Sequence, residues 1–353
     1  MPGSEQQLKV ASVAVKNVRC HASYTARLEP HKTIITGANG SGKTSLAEAV
    51  YIALRGTTFR GADADVVRHG AEWFRVDVVL ADGQVRTATY RVDQVSKREY
   101  TINGKKVKRL GFRDKLPVVL FEPTDLQLIS GSPSRRRRYL DQILSQSDPL
   151  YARELSRYEK SVRQRNSLLK HQASGEQLFP WNVMIAQHGS YIYSQRYQLV
   201  GQLQQQINQL YGDIATSGDE IGLDYSGHVV PENYQSYLLR QLEQSAERDR
   251  LLGYTSHGPH RDDLDITFNG RPADATASRG EARSIIVALK HIELEIIHSV
   301  TGVAPLLILD DVFSELDTGR QLSLERLTSR YQTIITTTHL SDGGDTSIQR
   351  QLS

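Results

Sequence analysis

A chain of 353 residues is long enough for two or three domains, and its 39% apolar and 24% charged residues exclude a disordered or fibrous class. Cys20 is the one cysteine, so no internal disulfide forms; with no apolar leader, and no apolar run longer than residues 303–309, a cytoplasmic protein is expected. The net charge of +3 hides two basic stretches, ten Arg and Lys against four Asp and Glu over residues 134–172 and nine against three over 91–115, which point to an anionic polymer partner or, more plainly, to solvated helix and hairpin faces.

In chain order, alternating apolar positions over 8–18 predict a strand, and 32–36 a short one running into glycine. Helical spacing follows over 46–54. Residues 76–80, 84–92 and 100–107 read as antiparallel strands with turns at Asp82-Gly83 and Asn103-Gly104, and 118–121 as a further buried strand. Residues 134–250 change character, with frequent Gln and Leu and few β-branched runs. Asp148 before Pro149 is an N-cap followed by proline at the first helical position. Behind it Tyr151, Leu155, Tyr158, Val162 and Leu169 approximate one helical stripe. A second long helix fits 181–211, and Pro231 opens a third helical region around 234–247. A strand at 264–268, a turn at Asn269-Gly270, a helix over 281–298 and strands at 306–309 and 333–337 complete the chain. The expectation is an α/β domain split between residues 1–130 and 251–353, with a helical insertion at 131–250.

Gly37, Ala38, Asn39, Gly40, Ser41, Gly42, Lys43 and Thr44 fit the G-x-x-x-x-G-K-[ST] phosphate loop, with Ser45 next in line. Glycines let backbone N–H groups close on phosphates, and the helix that follows aims its positive end at them. Lys43 would reach the β and γ phosphates of ATP, and Thr44 would ligate Mg²⁺. The strand before and the helix after supply the required context. A glycine-rich turn with an incidental lysine is the bland alternative.

Four apolar residues, 306–309, run into Asp310 and Asp311. Such a strand places Asp310 at its C-terminal edge, where ligand sites of α/β sheets gather. Asp310 would hold Mg²⁺ through water, and Asp311 would orient the attacking water. Ser278, Arg279, Gly280 and Glu281 open the preceding helix; Ser-x-x-Glu is also a capping box. The order of phosphate loop, long insertion, Ser-x-Gly-Glu, acidic strand, Ser314-Glu315-Leu316-Asp317 and finally His339 after a Thr-rich strand is that of ABC-type ATPases. In that class the signature serine contacts a nucleotide held by another subunit.

The chain resembles the RecF family, which is related to SMC-type ATPases. The resemblance is carried by residues 15–19, 37–44, 48–51, Phe59-Arg60 with Asp65, 121–126, 131–141, 258–263, 278–281, 310–317 and 336–339. Cys20-His21 and Glu281 depart from the usual family residues. The resemblance implies a split ABC-type ATPase head of mixed sheets and helices with an inserted α-helical second lobe. It also implies an ATP-dependent homodimer that binds double-stranded DNA near single-strand gaps, is released by slow hydrolysis, and works with RecR and RecO in recombinational repair. The site residues it implies are Lys43, Asp311 and His339 for catalysis, the phosphate loop with Ser278, Arg279, Gly280 and Glu281 for nucleotide, and Thr44 and Asp310 for metal. Arg135, Arg136, Arg137 and Arg138 are candidates for DNA contact, with structural pairing the equal alternative. A further nucleotide-sensing residue lies among Glu122, Asp125 and Gln127. A transporter energy-coupling subunit and a scaffold that binds ATP without hydrolysis are the competing readings.

Overall fold

The computed structural model describes residues 6–92, 97–215, 217–226, 229–312, 318–338 and 349–352. The chain forms two compact units, one of Met1–Asp125 with Glu293–Ser353 and one of Leu126–Ile292. The expected divisions were 130/131 and 250/251. The second falls later because strand Leu264–Phe268 pairs antiparallel with Ile221–Tyr225, within the second unit.

The first unit holds two large sheets and, among the described residues, a short parallel pair of Gln6–Gln7 with Val303–Ala304. One is parallel, in the order Gln349–Leu352, Lys32–Gly37, Thr333–Thr337, Leu306–Asp310, Val118–Phe121. The other is antiparallel, in the order His21–Arg27, Val10–Val18, Trp73–Leu80, Val85–Arg91, Lys97–Ile102, Lys105–Val107. Asn103 and Gly104, both at positive φ, form the expected turn, which joins Lys97–Ile102 to Lys105–Val107 in a hairpin. The helix Lys43–Arg55 packs against strands of both sheets. It is therefore apolar almost all round: Leu46, Ala47, Ala49, Val50, Ile52, Ala53 and Leu54 are buried. Gln332 ties the sheets together. Its side-chain amide accepts from Val10 N–H at 2.7 Å and donates to Val10 and Glu29 carbonyls at 2.8 Å. Val10 needs this partner because the register of its strand shifts between Val10 and Ser12.

The second unit is built on the helices Pro133–Ser147, Pro149–Lys170, Gly175–Ala215 and Tyr234–Gln244. Asp148 caps the second of these, its Oδ1 accepting from Leu150 N–H at 2.8 Å. Tyr151, Tyr158, Val162 and Leu169 are buried along its stripe, while Leu155 is half-buried. Arg165 lies wholly inside the same face. It pairs with Asp249 at 2.6 Å and donates to Asn182 Oδ1, Thr255 Oγ1 and the Leu242 carbonyl, so a buried charge has its hydrogen bonds met. The 41-residue helix Gly175–Ala215 starts upstream of Pro180 rather than after it. No helix among the described residues is long and apolar enough to cross a membrane.

Candidate active site

The strand Lys32–Gly37 delivers the glycine loop to the C-terminal edge of the parallel sheet, and helix Lys43–Arg55 leaves from it. Gly42 has φ 97°, and a Cβ there would come within 2.2 Å of His21 Nε2 and 2.5 Å of Cys20 Sγ. Glycine is required twice over, by conformation and by space. His21 and Cys20 thus lie directly against the loop, with His21 Nε2 3.1 Å from the Gly42 carbonyl. Lys43, only 4% exposed, donates Nζ to the Gly37 and Ala38 carbonyls at 2.9 and 3.1 Å. Ser41 Oγ is buried with no hydrogen-bond partner. A buried orphan hydroxyl and an ammonium held across a glycine loop suit the oxygens of a phosphate group.

Thr44 and the acidic strand meet across the loop. Thr44 Oγ1 donates to Asp310 Oδ1 at 2.7 Å, and Thr336 Oγ1, one strand over, donates to the same oxygen at 2.7 Å. Asp311 follows at φ 53°, outside the strand conformation. Its N–H is held by Thr336 twice, through the carbonyl and through Oγ1, both at 3.1 Å. Burial pushes the Asp311 carboxyl above the usual aspartate range; Lys43 and Arg60 pull it down and Asp310 pushes it up. An oxygen-only pair of a hydroxyl and a carboxylate beside a phosphate loop suits magnesium, a hard cation that prefers such donors.

Behind the loop lies a network in which the separate segments 15–19, 48–51, 59–60 and 65 converge. Glu48, 1% exposed on the buried helix, accepts a two-pronged bond from Arg19 at 2.9 and 2.8 Å and a further one from Thr58 Oγ1. Arg19 also donates to the Asp65 and Arg60 carbonyls at 2.6 and 2.8 Å. This clamp fixes the backbone of Arg60, whose side chain is exposed.

Matched against known families, residues 9–342 fit the model described as RecF/RecN/SMC N terminal domain. The DNA replication and repair protein RecF of Acaryochloris marina is 35% identical, covering 88% of this chain and 87% of its own. The protein of that name from Ruminiclostridium cellulolyticum is 34% identical over 95% and 94%. The chain belongs to the RecF family. A solved structure described as the recombination mediator protein RecF-ATP in the RecFOR pathway superposes with a TM-score of 0.87 at 29% identity, covering 98% of this chain and 95% of that one. An Smc head domain derived from Pyrococcus furiosus, 15% identical with a TM-score of 0.53 over 94% and 90%, shares the fold of an ABC-type ATPase head.

The RecF-like segments 131–141 and 258–263 brace each other in the second unit. Arg136 binds Asp263 through Nε at 2.8 Å and Nη2 at 2.6 Å, and Arg137 donates to the Asp262 carbonyl at 2.7 Å. Asp141 holds the buried Arg196, which in turn donates to the Pro259 carbonyl at 2.7 Å. Gly258, at φ 127°, leaves room for the Tyr158 hydroxyl, which a Cβ would approach to 2.4 Å. Of the four arginines considered for DNA, Arg136 and Arg137 are thus committed to internal bonds, while Arg135 and Arg138 are exposed.

Ser278 and Glu281 form a reciprocal cap: Glu281 Oε2 accepts from Ser278 N–H at 2.6 Å and Ser278 Oγ from Glu281 N–H at 3.3 Å. Arg279 and Gly280 open the helix Arg279–Thr301 behind it. At 121–127, Asp125 Oδ2 accepts from Glu122 N–H at 2.9 Å and so closes its own turn. Residues 314–317 and His339 lie outside the described residues. Sequence reasoning missed Thr336, which touches both aspartates, and the support from Arg19 and Glu48. A lone buried threonine beside an acidic strand carries no motif, although the Thr-rich run 336–338 was a partial signal.

Proposed function

We propose that the chain is an ATP-hydrolysing DNA replication and repair protein in which ATP-driven pairing of two copies controls residence on double-stranded DNA near single-strand gaps. The observation that carries the reading is the Lys43, Thr44, Asp310 and Asp311 constellation at the loop of a RecF-family head. Lys43 neutralises the terminal phosphates of ATP, and loop N–H groups with Ser41 Oγ bind their oxygens. Bound magnesium supplies charge neutralisation at the phosphate oxygens, and Thr44 Oγ1 with Asp310 would hold it. Asp311, kept in place by Thr336, orients the attacking water and accepts its proton.

Ser278 at its helix start completes the site of a second copy, since a capped N-terminus still offers N–H donors to an anion. Slow turnover then acts as a timer, and partners of the RecR and RecO kind meet the DNA-bound dimer; the RecFOR pathway of the solved relative supports this. Arg135 and Arg138, both exposed, would contribute phosphate contacts. The reading places the protein in the cytoplasm.

Sedimentation and duplex DNA binding with and without ATP test it. Mass and affinity should both rise with ATP in the wild type and stay at the nucleotide-free level in Lys43→Ala. Unchanged mass and affinity in the wild type would sink the idea.

A further inference from the structure

Two buried arginines of the first unit mark a second charged site, at the end of the nucleotide helix away from the glycine loop. Arg86, on the strand Val85–Arg91, is 3% exposed, and Arg55, the last residue of helix Lys43–Arg55, is 9% exposed. Both reach the same turn. Arg86 Nη2 donates to the Asp114 carbonyl, and Arg55 Nη1 donates to the Leu116 carbonyl at 3.3 Å. Leu116 N–H in turn bonds the Leu54 carbonyl at 3.1 Å, which fastens the turn to the helix end. Half-buried Lys115 stands between those two carbonyls in sequence. Burial first, and then the charges of Arg55 and Arg109, hold its ammonium below the usual lysine range.

Carbonyl groups satisfy donors but do not neutralise charge. A cation taken out of water is costly unless a counter-charge comes with it, and arginine cannot shed its proton to escape the cost. Arg55, Arg86, Arg109 and Lys115 have no ion-pair partner among the described residues. Asp114 is the carboxylate that acts on Arg86, and its Oδ2 accepts from Gly111 N–H at 2.9 Å. Arg86 Nε is buried with no hydrogen-bond partner. Four cations about one turn, opposed by Asp114 and including an unused buried donor, are the makings of an anion site. Guanidinium forks match the oxygens of an oxyanion, and the excess of positive charge selects a multiply charged one. The recessed arginines select for size as well. A duplex is too broad to reach them, whereas a compact ion can pass the exposed, flexible side chain of Arg109.

We propose that Arg55, Arg86, Arg109 and Lys115 bind a compact oxyanion of the phosphate class, inorganic phosphate or pyrophosphate. The helix that separates this site from the glycine loop has 13 residues, so the two sites lie about 20 Å apart and bind their ligands separately.

Calorimetric titration with pyrophosphate in magnesium-free buffer tests the site. The glycine loop also attracts such an ion, so full-length Lys43→Ala is titrated beside wild type and should keep a saturable one-site isotherm. On that background Lys115→Gln and Arg109→Gln should each weaken binding about tenfold. Lys115→Gln supplies a second reading. Removing a like charge from a buried cluster should leave Tm in phosphate-free buffer no lower than that of its parent, and should abolish the rise in Tm that pyrophosphate gives the parent. A lower Tm for Lys115→Gln in both buffers overturns the proposal, and means that the lysine only holds the turn. So does the absence of saturable binding in Lys43→Ala, or an isotherm unchanged by both Lys115→Gln and Arg109→Gln. Displacement of pyrophosphate by an equivalent of duplex DNA also overturns it, in favour of a backbone contact. None of these readings depends on ATP-driven pairing of two copies, whose failure sedimentation reports by itself.

Discussion

Thr336 donates its hydroxyl to Asp310 Oδ1 at 2.7 Å and receives the Asp311 N–H on the same oxygen at 3.1 Å. One buried side chain therefore holds the carboxylate of Asp310 and the backbone of Asp311, although it lies 25 residues from the nearer in sequence. Thr44 shares Asp310 Oδ1 from the other side, so the proposed metal pair and the proposed water-orienting residue are mechanically linked.

Thr336→Val keeps the shape and removes the hydroxyl. It should lower the maximal rate of ATP hydrolysis about tenfold or more, by misplacing Asp311, with a much smaller effect on nucleotide affinity. Steady-state kinetics beside direct nucleotide titration separates the two. An equal loss in both would mean that Thr336 serves the loop as a whole.

Asp311 should leave its mark in the pH profile. As the water-orienting base it must be ionised, and burial raises its carboxyl above the ordinary range. Hydrolysis should therefore fall on acidification at a pH above that of an unperturbed aspartate. The sign for stability is opposite. A carboxyl raised in the folded state favours folding when protonated, and that contribution is lost as pH rises through the folded value. Asp311→Asn should thus abolish turnover while melting no lower than wild type at neutral pH. A lower Tm for this variant would argue that Asp311 is mainly structural.

Arg19 and Glu48 make a sharper stability test. Arg19→Ala strands a carboxylate that is 1% exposed, and should cost roughly 3–5 kcal/mol. The double change Arg19→Met with Glu48→Leu should recover most of the loss, because an apolar pair replaces the buried charges. Differential scanning calorimetry of the single and double variants reads this as a Tm that drops and returns. A double variant no more stable than the single one would show that the Arg19 bonds to the Asp65 and Arg60 carbonyls matter more than the pair.

The local code of the chain determined the glycine loop with Lys43 and Thr44, the acidic strand end at Asp310, the cap at Asp148 and the Asn103-Gly104 turn. Each depends on residues close in sequence, through backbone conformation or hydrogen bonds that span a few positions. The strand His21–Arg27 has no clean alternation, and its edge position buries only Ala26. Ile221–Tyr225 is five residues long and becomes a strand by pairing with Leu264–Phe268. Only the tertiary structure could decide that Arg136 serves Asp263, 127 residues away, while Arg135 and Arg138 face solvent. The same holds for Glu48, whose burial under the second sheet and whose charge partner Arg19 come from elsewhere in the chain. Burial and charge pairing are set by what packs from elsewhere in the chain. The loop's chemistry was therefore legible in the residues, and the set of side chains that hold it in working geometry was not.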